Sequence, residues 1–307
     1  MLILSKMNSI TTIILTYNEE KHIERCIKNA FQFSEKVIII DSFSTDHTVD
    51  LAKSFGAEVH QHAFVNHAQQ FNWGLQNINI TTDWVFRLDA DEYLSPELIQ
   101  EINTEVPKMD ANISGLVMER KMVFLGKVIN KGNVKWNMLR LFRTGKGKCE
   151  ERWMDEHIVL FEGQSKMLQN AFYDDNLNPL GWWIDKHNAY SIREAVDLLN
   201  LKYHFLPEKK EHLSAAMSKD ANEKRLKKEK YNNMPLFWRS FLYFVYRYFF
   251  KLGFTEGKEG FLWHFLQGWW YRTLVDAKIY EIEKATNGNP KAIKEYIIKN
   301  YRLKIEE

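Results

Sequence analysis

Asp89, Asp91 and Glu92 crowd three carboxylates into four positions of the stretch FRLDADEYLSP, directly behind the apolar run DWVF. Like charges at the end of a buried strand repel one another unless something positive sits among them. Mg2+ and Mn2+ are hard cations that take oxygen ligands, typically one or two carboxylates together with phosphate oxygens. The chemistry open to this cluster is therefore the neutralisation of a phosphate-bearing ligand through a metal. The plain alternative is an acidic turn that caps the following helix.

The elements that must position these groups are legible in the first 125 residues. ITTIILTY is β-branched and ends at Asn18, and the next segment sets Ile23, Cys26, Ile27 and Ala30 at helical spacing. KVIIID is a short apolar strand ending in Asp41, SFSTD a loop, and HTVDLAKSFG a helix stopped by Gly56. A strand at AEVH, a helix at NHAQQFNWGLQNI and a strand at DWVFRLD complete a strand–helix alternation that predicts a mostly parallel sheet covered on both faces. In such a sheet ligands bind beyond the carboxyl ends of the strands. Three of those ends carry polar groups: Thr16, Tyr17 and Asn18; Asp41 to Asp46; and Asp89 to Glu92. All three are expected to meet in one crevice.

Beyond Ser95, an N-cap followed by Pro96, the segments SGLVMERKMVFLG and VKWNMLRLFRTG predict longer, antiparallel strands added to the sheet. Strand signals fade after about residue 165, and YDDNLNPLGWW supplies turn residues before a helical remainder. The expected organisation is a catalytic domain over 1–170 and a helical extension over 171–307.

Composition narrows the function. Lys and Arg number 42 against 40 Asp and Glu, too balanced for whole-chain attraction to nucleic acid. Cys26 and Cys149 stand in no ligand spacing, which argues against a disulfide framework or structural zinc and fits a cytoplasmic compartment. The amino terminus has no basic region ahead of an apolar one and no small-residue cleavage site, so it reads as a strand rather than a secretion signal. His60, His62 and His67 form no i, i+4 pair with a flanking carboxylate, and GKGK at 145–148 lacks the context of a phosphate loop.

Taken together, LTYNEE, DSFSTDHT, NWGL and LDADE resemble the nucleotide-sugar domain of family 2 glycosyltransferases, most closely the branch of bacterial lipopolysaccharide-core glucosyltransferases. The resemblance covers roughly residues 8–165 and implies the GT-A fold, an α/β, Rossmann-like architecture with a mixed, mainly parallel sheet flanked by helices. It further implies that Thr16, Tyr17, Asn18 and Glu19 line the base and ribose of a UDP-sugar and that Asp41 hydrogen-bonds the uracil. Ser44, Thr45 and Asp46 shape the adjoining loop, with helix capping as an equal alternative. Asp89 would sit near ribose and metal, with Ala90 beside it, and Asp91 would coordinate the Mn2+ or Mg2+ that bridges the two phosphates.

Sugar transfer also needs a base for the acceptor hydroxyl. In the resembled family an acidic residue, often followed by His, supplies it at the place held here by ERWMDEHIVLFEG, which makes Glu156 the first choice and Asp155 the second. His157 is a further candidate for metal or phosphate contact, and a solvated acidic turn is the alternative for all three. Processive synthases of the same family carry Q-x-x-R-W after the base; here EERW precedes DEH without the matching Gln, which favours addition of a single sugar. A sugar-phosphate nucleotidyltransferase would need a glycine-rich loop after the first strand, and LTYNEEKH has no glycine. A membrane-bound scaffold that has lost catalysis remains the non-enzymatic alternative.

The carboxyl-terminal part is aromatic. Residues 219–230 bring six Lys and Arg against three acids, and MPLFWRSFLYFVYRYFFKLGF follows. On a helical wheel Arg239, Ser240, Tyr243, Arg247 and Lys251 share a narrow face and apolar residues cover the rest. No run of 18 uncharged apolar residues occurs. The expectation is peripheral contact with an anionic inner-leaflet surface, suited to a lipid-linked glycan acceptor, with packing as ordinary core the alternative.

Overall fold

Ile10–Thr16 (β1) is buried along its length except at Leu15, as a strand with apolar or β-branched residues on both faces must be at the centre of a covered sheet. Lys36–Asp41 (β2) and Trp84–Asp89 (β4) run parallel to it on either side, and Glu58–Gln61 (β3) lies parallel beyond β2. The computed structural model describes residues 9–132, 134–150, 157–206 and 231–303. It divides the chain into two units, the first reaching Leu177 apart from residues 131–133, the second comprising those three and everything from Asn178.

In the first unit Ile23–Ala30 (α1), Thr48–Ser54 (α2) and His67–Asn77 (α3) connect the parallel strands. Alternation along the strands feeds two cores: Ile10, Ile14, Ile39, Phe86 and Leu88 pack with α1 on one face, and Ile13, Ile38, Ile40 and Val85 pack with α3 on the other. Gly74 on α3 is the point of closest approach, because any Cβ there would overlap Ile40. After Glu92–Leu94 (β5), Ser95 caps Pro96–Glu105 (α4), its Oγ accepting from the Leu98 amide at 3.1 Å.

The remaining strands are Ile113–Phe124 (β6), Lys127–Ile129 (β7), Trp136–Arg143 (β8), Gly147–Cys149 (β9), Ile158–Leu160 (β10) and Gln164–Asp175 (β11). Eight of the strands lie in the order β3-β2-β1-β4-β8-β6-β11-β5, with β7 paired to β6 and β9–β10 a separate ribbon. The added strands are antiparallel where β8 meets β4 and β6, as expected, but β11 joins β6 in parallel. Among the strands that escaped the sequence reading are β7, β11 and β5. β11 has a mixed, polar sequence, QSKMLQNAFYDD, in which strand signals look spent, and β5 hides within what reads as an acidic turn.

The second unit, described by itself, is helical: Leu180–Tyr203 (α5), Trp238–Val245 (α6), Gly257–Trp263 (α7), Tyr271–Thr286 (α8) and Pro290–Tyr301 (α9). α6 and α7 each run on into a π-helical stretch, Tyr246–Phe250 and His264–Trp270. Ile192, Ala195, Val196 and Leu199 of α5 meet Val275, Ile279 and Ile282 of α8 and Ile293 and Ile297 of α9, all at helical spacing. Asn289 caps α9 through the Ala292 amide with Pro290 in its first turn. Among the described residues no helix is long and apolar enough to cross a membrane.

Candidate active site

Register brings the three polar strand ends level: Thr16 pairs with Asp41 and Leu15 with Asp89. The loops leaving β1 and β2 are then tied to each other. Asn18 takes a left-handed φ of 57°, which asparagine tolerates better than most residues. Its amide donates to Ser44 Oγ at 2.9 Å and its Oδ1 accepts from the Thr45 amide at 2.8 Å. The Glu19 and Glu20 amides donate to Thr48 Oγ1 and Asp46 Oδ2. Asp46 also accepts from the Thr48 amide and hydroxyl at the start of α2. Burial works against its ionisation, but the Thr48 and Glu20 bonds hold its carboxyl below the usual range. Asp46 thus ties the loop and the helix start, the capping alternative of the sequence reading.

Asp41, the residue expected at the uracil, is bonded within its own loop. It is 0% exposed, with Oδ1 accepting from the Thr16 and Ser44 hydroxyls at 2.9 and 2.5 Å and Oδ2 from the Ser44 amide at 2.9 Å. Gln61 Nε2 adds a longer contact at 3.3 Å. These bonds fix the loop that follows β2. Tyr17 and Phe43, which follow the ends of β1 and β2, are the exposed aromatic groups there, at 59% and 53%. Glu19 is likewise tied inward: its Oε2 lies 2.6 Å from His22 Nδ1, while His22 Nε2 accepts from the Leu177 amide at 2.9 Å. The second bond leaves the ring proton on Nδ1, directed at Glu19.

The acidic cluster carries its own counter-charge. Arg140 on β8, 1% exposed, donates from Nη2 to Glu92 Oε1 at 2.5 Å and to Asp89 Oδ2 at 3.2 Å. Glu92, also buried, accepts from the Asp89 amide through its other oxygen. Burial pushes the Glu92 carboxyl up to about 8, Arg140 opposing and Asp89 adding to the rise. Burial acts on Asp89 in the same sense, but Arg140 and Arg87 carry its carboxyl well below the usual range. The repulsion expected to require an ion is therefore relieved first by an arginine. Glu92 is turned inward, and Asp89 and Asp91 remain partly exposed.

Asp91 is held from the far side of the sheet. Its Oδ2 accepts from Asn176 Nδ2 at 2.9 Å, and its carbonyl accepts from the Asp175 amide at 3.0 Å. Arg25 of α1 bonds the Asp175 carboxylate and carbonyl at 2.5 and 2.6 Å and stacks over Tyr93. Asn29 pins β5 through both the Leu94 amide and carbonyl. Arg25, Asn29, His22, Arg140 and Asn176 were all absent from the sequence reading; Arg140, set between leucines in an apolar strand, was the one with a readable signal.

Among the described residues no three His, Cys, Asp or Glu side chains stand together as a metal site. Two partly exposed carboxylates do fit an ion completed by phosphate oxygens, the usual arrangement for Mg2+. Asp155 and Glu156 lie outside the described residues. Their flanks are fixed: the Glu150 amide donates to the His157 carbonyl at 2.8 Å. Cys149 accepts from Arg87 Nη1 at 3.3 Å, and the Arg87 Nε lies 3.8 Å from Asp89 Oδ1. His62 bonds Gln70 and stacks on Trp73, and His60 pairs with Glu58, roles that are structural.

The sheet, in this strand order with carboxylates at the end of β4 and helices on both faces, has the GT-A type of fold. The family model of glycosyl transferase family 2 matches residues 11–167, and the chain belongs to that family; it is a glycosyltransferase. It is 38% identical over 205 residues to a glycosyltransferase of Rickettsia prowazekii, covering 63% of this chain and 69% of that protein. The lipopolysaccharide core biosynthesis glycosyltransferase LpsC of Rhizobium meliloti is 29% identical over 147 residues, 46% of this chain and 53% of LpsC. Among solved structures, the mannosyltransferase PcManGT of Pyrobaculum calidifontis, in complex with GDP-mannose and Mn2+, is 15% identical, with a TM-score of 0.49 over 90% of this chain and 88% of that one.

Proposed function

We propose that this chain transfers one sugar, with inversion, from a UDP-sugar to a hydroxyl of a glycan acceptor, with Mn2+ or Mg2+ held at Asp89 and Asp91. The observation that carries this reading is the division of charge at the end of β4: Arg140 neutralises the buried side of the cluster, and the two remaining carboxylates are partly exposed. A cation bound there would neutralise the diphosphate as it departs. Asn18, Ser44 and Asp46 keep the two loops in one arrangement, Asp41 acts through Ser44, and the exposed Tyr17 ring offers a stacking face to the base. Thr16, Glu19 and Ala90 complete the donor side. The acceptor oxygen attacks the anomeric carbon as its bond to the diphosphate breaks, and Glu156, or failing it Asp155, takes the hydroxyl proton.

The first unit would then be the donor-binding and catalytic part, and the helical unit the acceptor and membrane side. The likeness to LpsC favours a lipid-linked acceptor such as a lipopolysaccharide core, met at the inner face of the cytoplasmic membrane. Calorimetric titration of UDP and of GDP, with and without Mn2+, into wild type and Asp91→Ala tests the reading. Metal-dependent UDP binding lost in the variant is expected. Preference for GDP would replace the donor, and unaltered binding in Asp91→Ala would remove the metal from that site. The anomeric configuration of the product, read by NMR, tests inversion separately.

A further inference from the structure

Along α6 and its continuation to Phe250 the polarity of the helical unit is turned inside out. Trp238, Phe241, Leu242, Tyr246, Phe249 and Phe250 follow one side of the helix and are exposed, Phe250 to 75%. The opposite side, which is buried, holds Arg239, Ser240 and Arg247, residues that a water-facing helix would place outside. Arg239 and Ser240 are satisfied internally, and Arg247 is satisfied at Nε and Nη1 but not at Nη2. Arg239 pairs with buried Asp276 at 2.5 Å, Ser240 donates to the Phe237 carbonyl, and Arg247 bonds the Gly132 carbonyl at 3.0 Å and the Gln267 side chain. Arg239, Ser240 and Arg247 of the narrow basic face are therefore an interior seam and are not available to lipid phosphates, whereas Lys251 at its end is exposed.

The chain turns at Leu252 and Phe254, both about half exposed, and α7 returns beside α6. Ring contacts join the two helices: Phe241 and Trp269 lie 5.4 Å apart, Phe244 and Trp269 5.3 Å, and Tyr248 and Phe261 5.8 Å. The exposed rings thus form one surface shared by both helices. Its rim has the opposite character. No Asp or Glu occurs between residues 231 and 255, Glu256 is buried, and Lys251 and Lys258 are exposed. Lys251 Nζ sits 5.4 Å from the Tyr246 ring, a pairing of cation and amphipathic ring that suits a headgroup layer.

We infer that this hairpin inserts its aromatic surface into the boundary between headgroups and hydrocarbon of a phospholipid bilayer, held by apolar burial, with Lys251 and Lys258 at the phosphate level. Thirteen residues from Trp238 to Phe250 rise about 20 Å, short of the roughly 30 Å hydrocarbon core, so the hairpin lies in the interface and does not span it. The inference rests on the membrane-surface reading above and replaces electrostatic adsorption by insertion as its mode.

The test is flotation of the full chain with vesicles of phosphatidylcholine alone and of phosphatidylcholine with phosphatidylglycerol, at low and high salt, for wild type and Phe249→Glu/Phe250→Glu. Wild type is expected to bind both vesicle types with only a few-fold change on adding salt. The double variant should bind roughly a hundred-fold more weakly, from the loss of two rings each more than half exposed. Binding that disappears at high salt and ignores the double substitution would overturn insertion. Absence of vesicle binding, with a dimer that the double substitution dissolves, would assign the surface to a second copy instead. UDP titration of the same preparations reports on the donor site alone, so failure of insertion and failure of the transferase reading give different results.

Discussion

His264 provides a prediction whose magnitude follows from its surroundings. The ring is 0% exposed, and among the described residues neither ring nitrogen has a hydrogen-bond partner. It packs against Gly132 and Gly253, where a Cβ on either would overlap it. Burial and the neighbouring Arg247 charge bring its pKa down to about 4. The unfolded chain takes up a proton at about 6.5, whereas the folded chain stays neutral until near 4. Stability attributable to this ring is therefore whole above pH 6.5 and declines on acidification, by about 1.4 kcal/mol per pH unit and about 3 kcal/mol in all. His264→Leu keeps most of the volume and forfeits no hydrogen bond, so at pH 7.5 it should lie within about 1 kcal/mol of wild type. Urea unfolding followed by tryptophan fluorescence at pH 7.5 and pH 5 measures the difference, Trp263, Trp269 and Trp270 all lying close to the ring in sequence. Wild type should lose about 2 kcal/mol more than the variant between those values. Parallel losses would mean that the imidazole titrates normally or finds a partner in solution. His187, half-buried against Trp183 and also lowered to about 4, is common to both proteins and cancels.

Other expectations concern the charges that hold each unit together. Arg140→Met leaves Asp89 and Glu92 without their shared donor and should destabilise the first unit by about 1–3 kcal/mol, read by thermal unfolding. Asn18→Ala removes the bond to the Thr45 amide and should weaken UDP binding roughly tenfold by calorimetry, with little change in melting temperature. Asp276→Asn should cost the helical unit about 3 kcal/mol, whereas Arg239→Met/Asp276→Leu should regain much of it. A double variant no more stable than Asp276→Asn would show that packing, and not the unpaired charge, sets the cost.

The parallel half of the sheet could be read because each of its elements is announced locally: continuous apolar strands, helices with apolar residues at helical spacing, and polar residues at the strand ends. Thr16, Asp41 and Asp89 were expected together, and register places them together. What escaped depends on partners far away in the chain. Arg140 gains its meaning from Glu92, β5 from β11, and Asp41 from how tightly Thr16 and Ser44 enclose it. The helical wheel of α6 correctly grouped Arg239, Ser240 and Arg247 on one face. Periodicity shows which residues share a side but not which side meets water, and only Asp276 and Gly132 reveal that the polar face is the inner one.

The fastening of Asp91 has a consequence for the order in which the protein can be made. Its loop is closed by Asp175 and Asn176, and His22 is closed by Leu177, although the parallel strands below are complete by residue 89. A nascent chain released at residue 167, where the family match ends, would hold the whole parallel core and lack the latch on its own carboxylates. Contacts spanning 80 residues and more form late, so the sheet would fold well before it acquires a competent donor edge. Comparing a chain cut just before residue 175 with one cut just beyond residue 177 should separate a folded platform from one whose acidic edge is set, which makes a few residues at the end of β11 the final step of the site's maturation.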